Sequence, residues 1–260
     1  MSDMLRTALC DRRVSFVHFE CTDSTNMRAR EYVKQDGANI PALFLADTQT
    51  CGRGRLGRSF YSPDAAGLYM TFLMKTSDSS ELFSRITSIA AVCASDAVFE
   101  CFGVRAKIKW VNDLYVFGRK VAGILAESFV ERDERYVALG IGINIFASDL
   151  PEEIKDKAAP LFSARGGNDW KERRDILVLS LTEKLLDATK KNDFSDYIEK
   201  YREHSCVIGK RITFSYGGKE FLATATDITP SGALVVLTDD GETRELSSGE
   251  ISVVVNREEK

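Results

Sequence analysis

The sequence is poor in histidine and has no closely paired cysteines. Its only histidines are His18 and His204, and none of its six cysteines stand in a Cys-x-x-Cys spacing. Protein zinc sites are usually built from such residues, so the sequence argues against a zinc site and against catalysis by histidine. We expect the cysteines to be small, buried apolar side chains in a reducing cytosol.

Long apolar runs and an excess of positive charge are also missing. No apolar stretch approaches the roughly 20 residues of a membrane-spanning helix, and the N-terminus has no apolar signal segment. The net charge is -4 and the pI is near 5.5, so the surface as a whole does not attract nucleic acid or anionic membranes. We therefore expect a cytoplasmic protein with neither DNA nor membrane as a partner.

What is present is a mixture of helix and strand patterns, which predicts an α+β fold. Apolar residues at helical spacing predict the clearest helix over Ser80–Phe102, ended by Gly103. Its apolar stripe consists of Leu82, Phe83, Ile86, Ile89, Ala90, Cys93, Ala97 and Cys101. Other helices are predicted to begin at 23–25, over 169–190 and around 194–201. Stretches rich in β-branched or alternating apolar residues predict strands at 13–21, 40–46, 67–75, 106–111, 114–117, 121–129 and 136–145, with Gly118 and Arg119 at a hairpin turn.

The pattern changes near the C-terminus. From Lys210 onward, short alternating strands are separated by turn clusters at 217–218, 230–232 and 239–241. This predicts a small β-barrel of about five strands, and we place the domain boundary so that 1–204 and 205–260 form separate domains. Because the first predicted strand starts at Arg13, we expect no helix-turn-helix DNA-binding module before it.

The segment Gly52-Arg53-Gly54-Arg55-Leu56-Gly57-Arg58 holds three glycines and three arginines in seven residues. Glycines permit close backbone approach, and arginines donate bidentate hydrogen bonds to carboxylate or phosphate. This combination predicts a flexible loop that binds anions. The segment also matches the dinucleotide fingerprint G-x-G-x-x-G, but that fold needs a helix where a strand is predicted here. A solvated basic turn is the remaining interpretation.

Two further segments offer groups suited to phosphates. Asn112 and Asp113 stand between two predicted strands, where an adjacent amide and carboxylate suit Mg²⁺, although an ordinary Asn-Asp turn has the same residues. Lys120 begins an apolar strand beside glycines. It is either an exposed charge at a strand end or a point charge for a developing phosphate anion.

The segment 140–144, Gly-Ile-Gly-Ile-Asn, places small residues alternately along a strand. This favours either a flat ligand or tight sheet packing. The sequence has no Walker A segment, no Gly-x-Ser-x-Gly and no histidine-bearing triad. Taken together, the segments between 50 and 145 indicate a reaction that proceeds by positioning and charge neutralisation, as nucleotidyl transfer does.

In this order, the segments resemble the biotin–protein ligase family. The matching stretches are DSTN at 23–26, ADTQTCGRGRLGR at 46–58, KWVNDLY at 109–115, GRKVAGILAE at 118–127, GIGIN at 140–144 and SGEIS at 248–252. The resemblance implies a mixed-sheet catalytic domain of the biotin/lipoate ligase type and a C-terminal SH3-like β-barrel. It also implies activation of biotin with ATP and Mg²⁺ to biotinyl-5′-AMP, then transfer to a lysine of a biotin carboxyl carrier protein. Relatives of this kind also include homodimers.

The resemblance further assigns roles to individual residues. The implied catalytic groups are Lys120, Arg53 and Arg55. The implied biotin contacts are Ser24, Thr25, Asn26, Gln49, Gly52, Arg53, Gly54, Arg55, Lys120, Gly123 and Gly142. The implied nucleotide contacts are Arg55, Arg58, Phe60, Asn112, Lys120 and Asn144, with Asp113 as the Mg²⁺ ligand.

The sequence departs from the family pattern at three positions. Val111 stands where proline is common, Cys51 where alanine is frequent, and Phe60 where a tryptophan often serves as a platform for adenine. A lipoate–protein ligase would share the fold but lacks the Gly-Arg-Gly-Arg pattern. A non-catalytic biotin or nucleotide sensor is the alternative of a different class, against which Lys120 and the Asn-Asp pair argue.

Overall fold

The computed structural model describes residues 3–76, 80–146, 149–164, 167, 169–191 and 193–254, without the side chains of residues 80–84. Its helices are α1 Asp3–Asp11, α2 Thr25–Tyr32, α3 Ser80–Phe102, α4 Trp170–Thr189 and α5 Ser195–His204. The strands of the larger sheet are β1 Ser15–Thr22, β2 Ala42–Gln49, β3 Gly67–Thr76, β4 Lys107–Lys109, β5 Asp113–Val116, β6 Arg119–Glu131 and β7 Glu134–Asn144. Those of the smaller sheet are β8 Arg211–Tyr216, β9 Lys219–Ile228, β10 Leu234–Thr238, β11 Thr243–Leu246 and β12 Ile251–Val253.

The larger sheet is mixed and has seven strands in the order β1-β2-β3-β7-β6-β5-β4. Only β1 and β2 are parallel, and every other neighbouring pair is antiparallel. Helix α2 packs on one face, and α3 and α4 pack on the other. The predicted α+β fold with a mixed sheet is therefore confirmed. No described helix has both the length and the apolar character that membrane crossing requires.

The predicted helix over Ser80–Phe102 agrees with α3. Most of its predicted apolar stripe is buried in the main core, while Leu82 and Phe83 lie outside the described side chains. Gly103 follows the helix with φ +68° and donates its N–H to the carbonyl of Phe99. This left-handed conformation is the one that glycine favours at a helix C-terminus.

The prediction of buried cysteines was wrong for Cys10, Cys21 and Cys51, which are exposed. Three predictions of local structure were also wrong. The first described element is helix α1, not a strand, because buried Leu5 and Leu9 anchor a short helix against the core. Strand β2 begins and ends later than predicted, since Pro41 has no N–H to give and the pairing with β1 continues to Gln49. The hairpin turn between β5 and β6 consists of Phe117 and Gly118 rather than Gly118 and Arg119.

The predicted C-terminal β-structure has five strands, but they do not close into a barrel. The smaller sheet is antiparallel in the order β11-β10-β9-β8-β12, and its first and last strands do not pair with each other. Its buried apolar residues belong to the same core as α3 and the larger sheet. Packing against the rest of the protein therefore covers the apolar face, and the sheet does not have to close around it.

A buried charge cluster joins α4 to β1 and β2. The carboxylate of Asp47 on β2 lies 2.9 Å from His18 Nε2 and 3.3 Å from Lys171 Nζ, and it accepts a hydrogen bond from fully buried Arg174. Burial alone would raise the pKa of Asp47, but the hydrogen bonds from His18 and Arg174 outweigh it and lower the pKa to about 2. This cluster holds the end of β2, and with it Gln49, in place.

Candidate active site

The site lies on the face of the larger sheet where two glycines meet. Gly123 of β6 and Gly142 of β7 are direct partners across their strands, with Asp113 beyond Gly123 and Tyr69 beyond Gly142. The missing side chains leave a depression in the sheet. A cavity of about 710 Å³ opens above it, bounded by the glycine-arginine loop, the N-terminus of α2 and residues 249–252 of the C-terminal sheet.

One end of the cavity is a buried polar cluster centred on Thr71. Thr25 donates its backbone N–H to Gln49 Oε1 over 2.9 Å, and its hydroxyl lies 3.1 Å from the same oxygen. The Thr71 hydroxyl lies 2.8 Å from that of Thr25 and 2.5 Å from Asn26 Oδ1. Two hydroxyl protons thus serve three contacts, so one of the acceptors Gln49 Oε1, Thr25 Oγ1 and Asn26 Oδ1 receives no hydroxyl proton and could accept from a ligand.

Ser24 occupies the N-cap position of α2, but its hydroxyl makes no capping hydrogen bond. The residue is only 2 % exposed and lines the cavity. Because its hydroxyl does not cap the helix, it remains available to a ligand in the cavity.

The glycine-arginine loop forms a narrow hairpin over the cavity. Phe60 donates its backbone N–H to the carbonyl of Gly52 over 2.8 Å, and Gly54 donates to the carbonyl of Arg58 over 2.7 Å. A side chain on Gly52 would place its Cβ 2.2 Å from the carbonyl oxygen of Phe60. Glycine is thus required where the two arms of the hairpin approach each other.

The three arginines of this loop reach three different parts of the protein. Arg53 Nη1 lies 3.3 Å from Glu127 Oε1 on β6. Arg55 donates to Asn112 Oδ1 over 3.1 Å, just before β5. Arg58 donates to Glu250 Oε2 of the C-terminal sheet over 2.6 Å. The loop therefore extends across the cavity, and each of its three arginines binds a different part of the protein.

At the centre of the cavity, Lys120 lies between the sheet glycines and a carboxylate. Its Nζ is 2.6 Å from Asp113 Oδ1 and would be 3.3 Å from a Cβ added to Gly123. The ion pair lacks hydrogen-bond geometry, so the buried Asp113 Oδ1 has an unused acceptor position. Burial and the nearby Asp113 raise the pKa of Tyr115, which also lines the cavity, to about 12.

The charge of this cavity is opposite in sign to that of the whole chain. Six cationic side chains and two carboxylates line it, an excess of four positive charges, whereas the chain carries -4. The cationic residues are Arg53, Arg55, Arg58, Lys109, Lys120 and Lys157, and the carboxylates are Asp113 and Glu250. Such a concentration of positive charge attracts an anionic substrate with several phosphates.

The donor set around Asp113 fits a magnesium ion that is shared with substrate. Mg²⁺ is commonly held by one or two carboxylates, with phosphate oxygens and waters completing its six ligands. Asp113 supplies one such carboxylate with a buried, unsatisfied oxygen. Asn112 is differently engaged, since its Oδ1 accepts from Arg55 and its Nδ2 donates to the carbonyl of Ile124. Within the described residues, no three His, Cys, Asp or Glu side chains cluster as a metal site.

The Phe60 ring lies directly over Gly123 and Gly142, which form the glycine floor of the cavity. A Cβ on Gly142 would come within 2.5 Å of the Phe60 ring, and one on Gly123 within 3.3 Å. The ring also meets Tyr69 edge-on, with centroids 6.4 Å apart. Phe60 thus contacts the two residues expected to line the biotin slot, while its predicted contact with adenine stays a prediction.

Fifteen of the sixteen residues predicted for the site line this one cavity, although they come from five stretches of the chain. They are Ser24, Thr25, Asn26, Gln49, Arg53, Gly54, Arg55, Arg58, Phe60, Asn112, Asp113, Lys120, Gly123, Gly142 and Asn144. Gly52 does not line it and instead forms the base of the loop hairpin.

Sequence reasoning missed four contributions to the site. Glu127 binds Arg53 and also accepts from Asn26 Nδ2 over 2.8 Å. Its position four residues after Gly123, on the same side of β6, could have shown this. Tyr115 and Glu250 were present in the matching stretches but received no role. Part of one wall comes from Leu150, Ile154, Lys157 and Ala158, in a segment whose sequence has no periodic pattern.

Comparison with known proteins places this arrangement in a family. Residues 18–144 match the biotin/lipoate A/B protein ligase family, and residues 207–254 match the biotin protein ligase C-terminal domain. The biotin--[acetyl-CoA-carboxylase] ligase of Paracoccus denitrificans is 34 % identical over 224 residues, which cover 83 % of this chain and 91 % of that one. The bifunctional ligase/repressor BirA of Bacillus subtilis is 29 % identical over 230 residues, covering 86 % and 70 %.

A solved structure has the same fold over almost its full length. It is the biotin protein ligase from Aquifex aeolicus in complex with biotin and ATP, with a TM-score of 0.75 and 29 % identity, covering 93 % of this chain and 99 % of that one. The matches extend over both the mixed sheet with its cavity and the C-terminal sheet. This chain therefore belongs to the biotin protein ligase family.

Proposed function

We propose that this chain is an enzyme that joins biotin to ATP, forming biotinyl-5′-AMP, and then transfers biotin to a lysine of a biotin carboxyl carrier protein. The observation that carries the proposal is the position of Lys120. Its ammonium group lies on the glycine floor, next to Asp113, in a cavity with an excess of four positive charges. Two relatives are named biotin--[acetyl-CoA-carboxylase] ligase, which supports the choice of substrate.

In the first step, a biotin carboxylate oxygen attacks the α-phosphorus of ATP. The new O–P bond forms while the P–O bond to pyrophosphate breaks, and pyrophosphate leaves. Two anions must approach each other, so their charges have to be neutralised before reaction. Lys120 would lie between carboxylate and α-phosphate. Arg53 would bind substrate oxygens while keeping Glu127 as its partner, and Arg55 would exchange Asn112 for a substrate oxygen.

The polar end of the cavity would bind the ureido ring of biotin. That ring has two N–H donors and one carbonyl acceptor, which complement the open acceptor at Thr25 and Gln49 and the hydroxyl of Ser24. Gly123 and Gly142 would give room for the flat bicyclic ring, and Phe60 would pack against it. Asn26 would fix the geometry of this end through Glu127 and Thr71.

The nucleotide would occupy the other end of the cavity. Arg58, Asn112 and Asn144 line the cavity and would bind the nucleotide there. Mg²⁺, held by Asp113 and phosphate oxygens, would neutralise charge on the pyrophosphate leaving group.

In the second step, the amine of a carrier lysine attacks the acyl carbon of the mixed anhydride. An amide bond forms, the bond from that carbon to the AMP oxygen breaks, and the amine loses a proton to solvent. The loop over the cavity would exclude water from the anhydride until the carrier arrives.

We also propose a domain boundary between residues 204 and 205. It is supported by the end of α5 at His204 and by the start of the C-terminal family match at 207. The absence of a DNA partner, a homodimer and a cytoplasmic location stay predictions.

The function is tested by measuring pyrophosphate release from ATP and Mg²⁺ with biotin, with lipoate, and without an acid. We expect release with biotin alone, followed by label transfer to a carrier domain. Release with lipoate but not with biotin would mean that lipoate is the substrate, while the adenylation chemistry would be the same. No release with either acid would contradict the proposal and favour a binding protein.

A further inference from the structure

Two apolar residues of this protein have a backbone conformation that disfavours them. In the described part of the chain, six residues other than glycine have positive φ. They are Arg13, Leu56, Ala65, Phe117, Arg132 and Asp133. Only Leu56, at φ 55°, and Phe117, at φ 49°, are large and apolar. Left-handed backbone is strained for such residues and is usual for glycine, asparagine and aspartate.

The same two residues are the most exposed large apolar side chains among those described. Phe117 is 99 % exposed and Leu56 is 72 % exposed. Strain of this kind persists where a position serves a purpose other than stability. Neither side chain gains from burial within this chain, so the strain is not offset by packing of the monomer.

Both residues are close in the chain to residues that line the cavity. Phe117 is in the turn of the β5–β6 hairpin, whose paired residues Tyr115 and Lys120 line the cavity. Leu56 directly follows Arg55, another lining residue. Arg55 donates to Asn112 at the base of that hairpin over 3.1 Å, so the two segments that carry Leu56 and Phe117 are joined there.

A protein that delivers a lysine to this cavity must cover its rim. A typical protein interface buries about 800 Å² on each partner, which is a larger area than the opening through which one lysine enters. Within such interfaces, a few apolar or aromatic side chains contribute most of the affinity. Resting on the proposed function, we infer that Phe117 and Leu56 form the apolar docking surface for the carrier protein.

The test is Phe117→Asn, which changes the side chain but suits the turn. Asn-Gly is a favoured pair for a hairpin turn with positive φ at both positions, so the variant should fold at least as well as the native chain. Tyr216→Asn is the matched control, because Tyr216 is 63 % exposed, also precedes a glycine turn and does not line the cavity.

The two steps of the reaction are measured separately. Biotin-dependent pyrophosphate release is measured without carrier, and transfer is measured with a purified biotin-accepting domain of an acetyl-CoA carboxylase at saturating biotin and ATP. We expect Phe117→Asn to raise KM for the carrier domain about tenfold and to leave pyrophosphate release unchanged. Leu56→Asn should raise the same KM, and Tyr216→Asn should change neither step.

An unchanged KM for the carrier domain in Phe117→Asn would overturn the inference. If the native chain sediments as a dimer, Phe117→Asn as a monomer, and transfer is unaffected, the surface serves a second copy and the inference is also wrong. Failure of the proposed function is distinguishable, since it abolishes biotin-dependent release in the native chain. Carrier binding measured by calorimetry, weakened by Phe117→Asn, would then still support the docking surface.

Discussion

Arg53 Nη1 and Glu127 Oε1 lie 3.3 Å apart, joining the glycine-arginine loop to the strand that carries Lys120. Glu127 is only partly exposed, and its second oxygen accepts from buried Asn26 over 2.8 Å. Because Asn26 holds the Glu127 carboxylate in one orientation, that carboxylate in turn fixes the direction of the Arg53 side chain. Glu127 is therefore a positioning residue for Arg53.

The first prediction concerns this pair. We expect Glu127→Gln to leave adenylate formation measurable and to let biotinyl-5′-AMP escape up to about fivefold faster, because a partly exposed ion pair of at most about 1 kcal/mol is lost. Escape is measured by the appearance of free adenylate. In an Arg53→Gln background, Glu127→Gln should have no further effect, whereas additive effects would contradict the pairing. Glu131→Gln, farther along the same strand, is the control.

The second prediction concerns Lys120. Lys120→Ala should lower kcat for biotin-dependent pyrophosphate release by about 100- to 1,000-fold, because it removes a charge that stabilises the transition state. The fold should persist, since the side chain is 31 % exposed and, among the described residues, its ammonium group pairs with Asp113 alone. Circular dichroism and urea unfolding check the fold. A rate close to that of the native chain would show that Lys120 is not catalytic.

The third prediction concerns the contact between Gly142 and Phe60. Gly142→Ala would place Cβ 2.5 Å from the Phe60 ring, and overpacking of this kind costs about 1–3 kcal/mol in the free energy of unfolding. The cost should vanish in a Phe60→Ala background, where the ring is absent. Urea unfolding of the four chains measures both values. An equal cost with and without the ring would mean that the ring does not lie over Gly142.

The fourth prediction concerns the stability of the protein in acid. The folded pKa of Asp47 is about 2, below the unfolded value near 3.9. Its contribution of about 2 kcal/mol is therefore complete above pH ~4 and is lost as the pH falls through ~2. Asp47→Asn should flatten the pH dependence of the free energy of unfolding in that range. At pH 7 it should destabilise the fold by about 3 kcal/mol, because buried Arg174 loses a partner.

The control for this prediction is Asp36→Asn. Asp36 pairs with Arg132 over 3.0 Å but its side chain is 96 % exposed. An ion pair at the surface contributes at most about 1 kcal/mol, so this variant should match the native chain at each pH. If both variants behaved alike, the buried cluster would not be the source of the acid sensitivity.

Patterns that depend on neighbours in the chain were predictable. The repeat of apolar residues over Ser80–Phe102 determined α3, because a helix of 3.6 residues per turn brings those residues onto one face. The glycines of the loop explain its close hairpin, and its binding of anions stays a prediction. The resemblance that these motifs carry predicted sixteen site residues, and fifteen of them line one cavity although they come from distant segments.

What depends on contacts between segments was decided by the tertiary structure. No local pattern shows that Arg53, Arg55 and Arg58 pair with Glu127, Asn112 and Glu250, since each partner lies at least 50 residues away. The C-terminal sheet is open because its apolar face packs against the core that it shares with the larger sheet. The sequence by itself thus determined the chemical groups and local elements of this ligase, and long-range packing determined which groups meet.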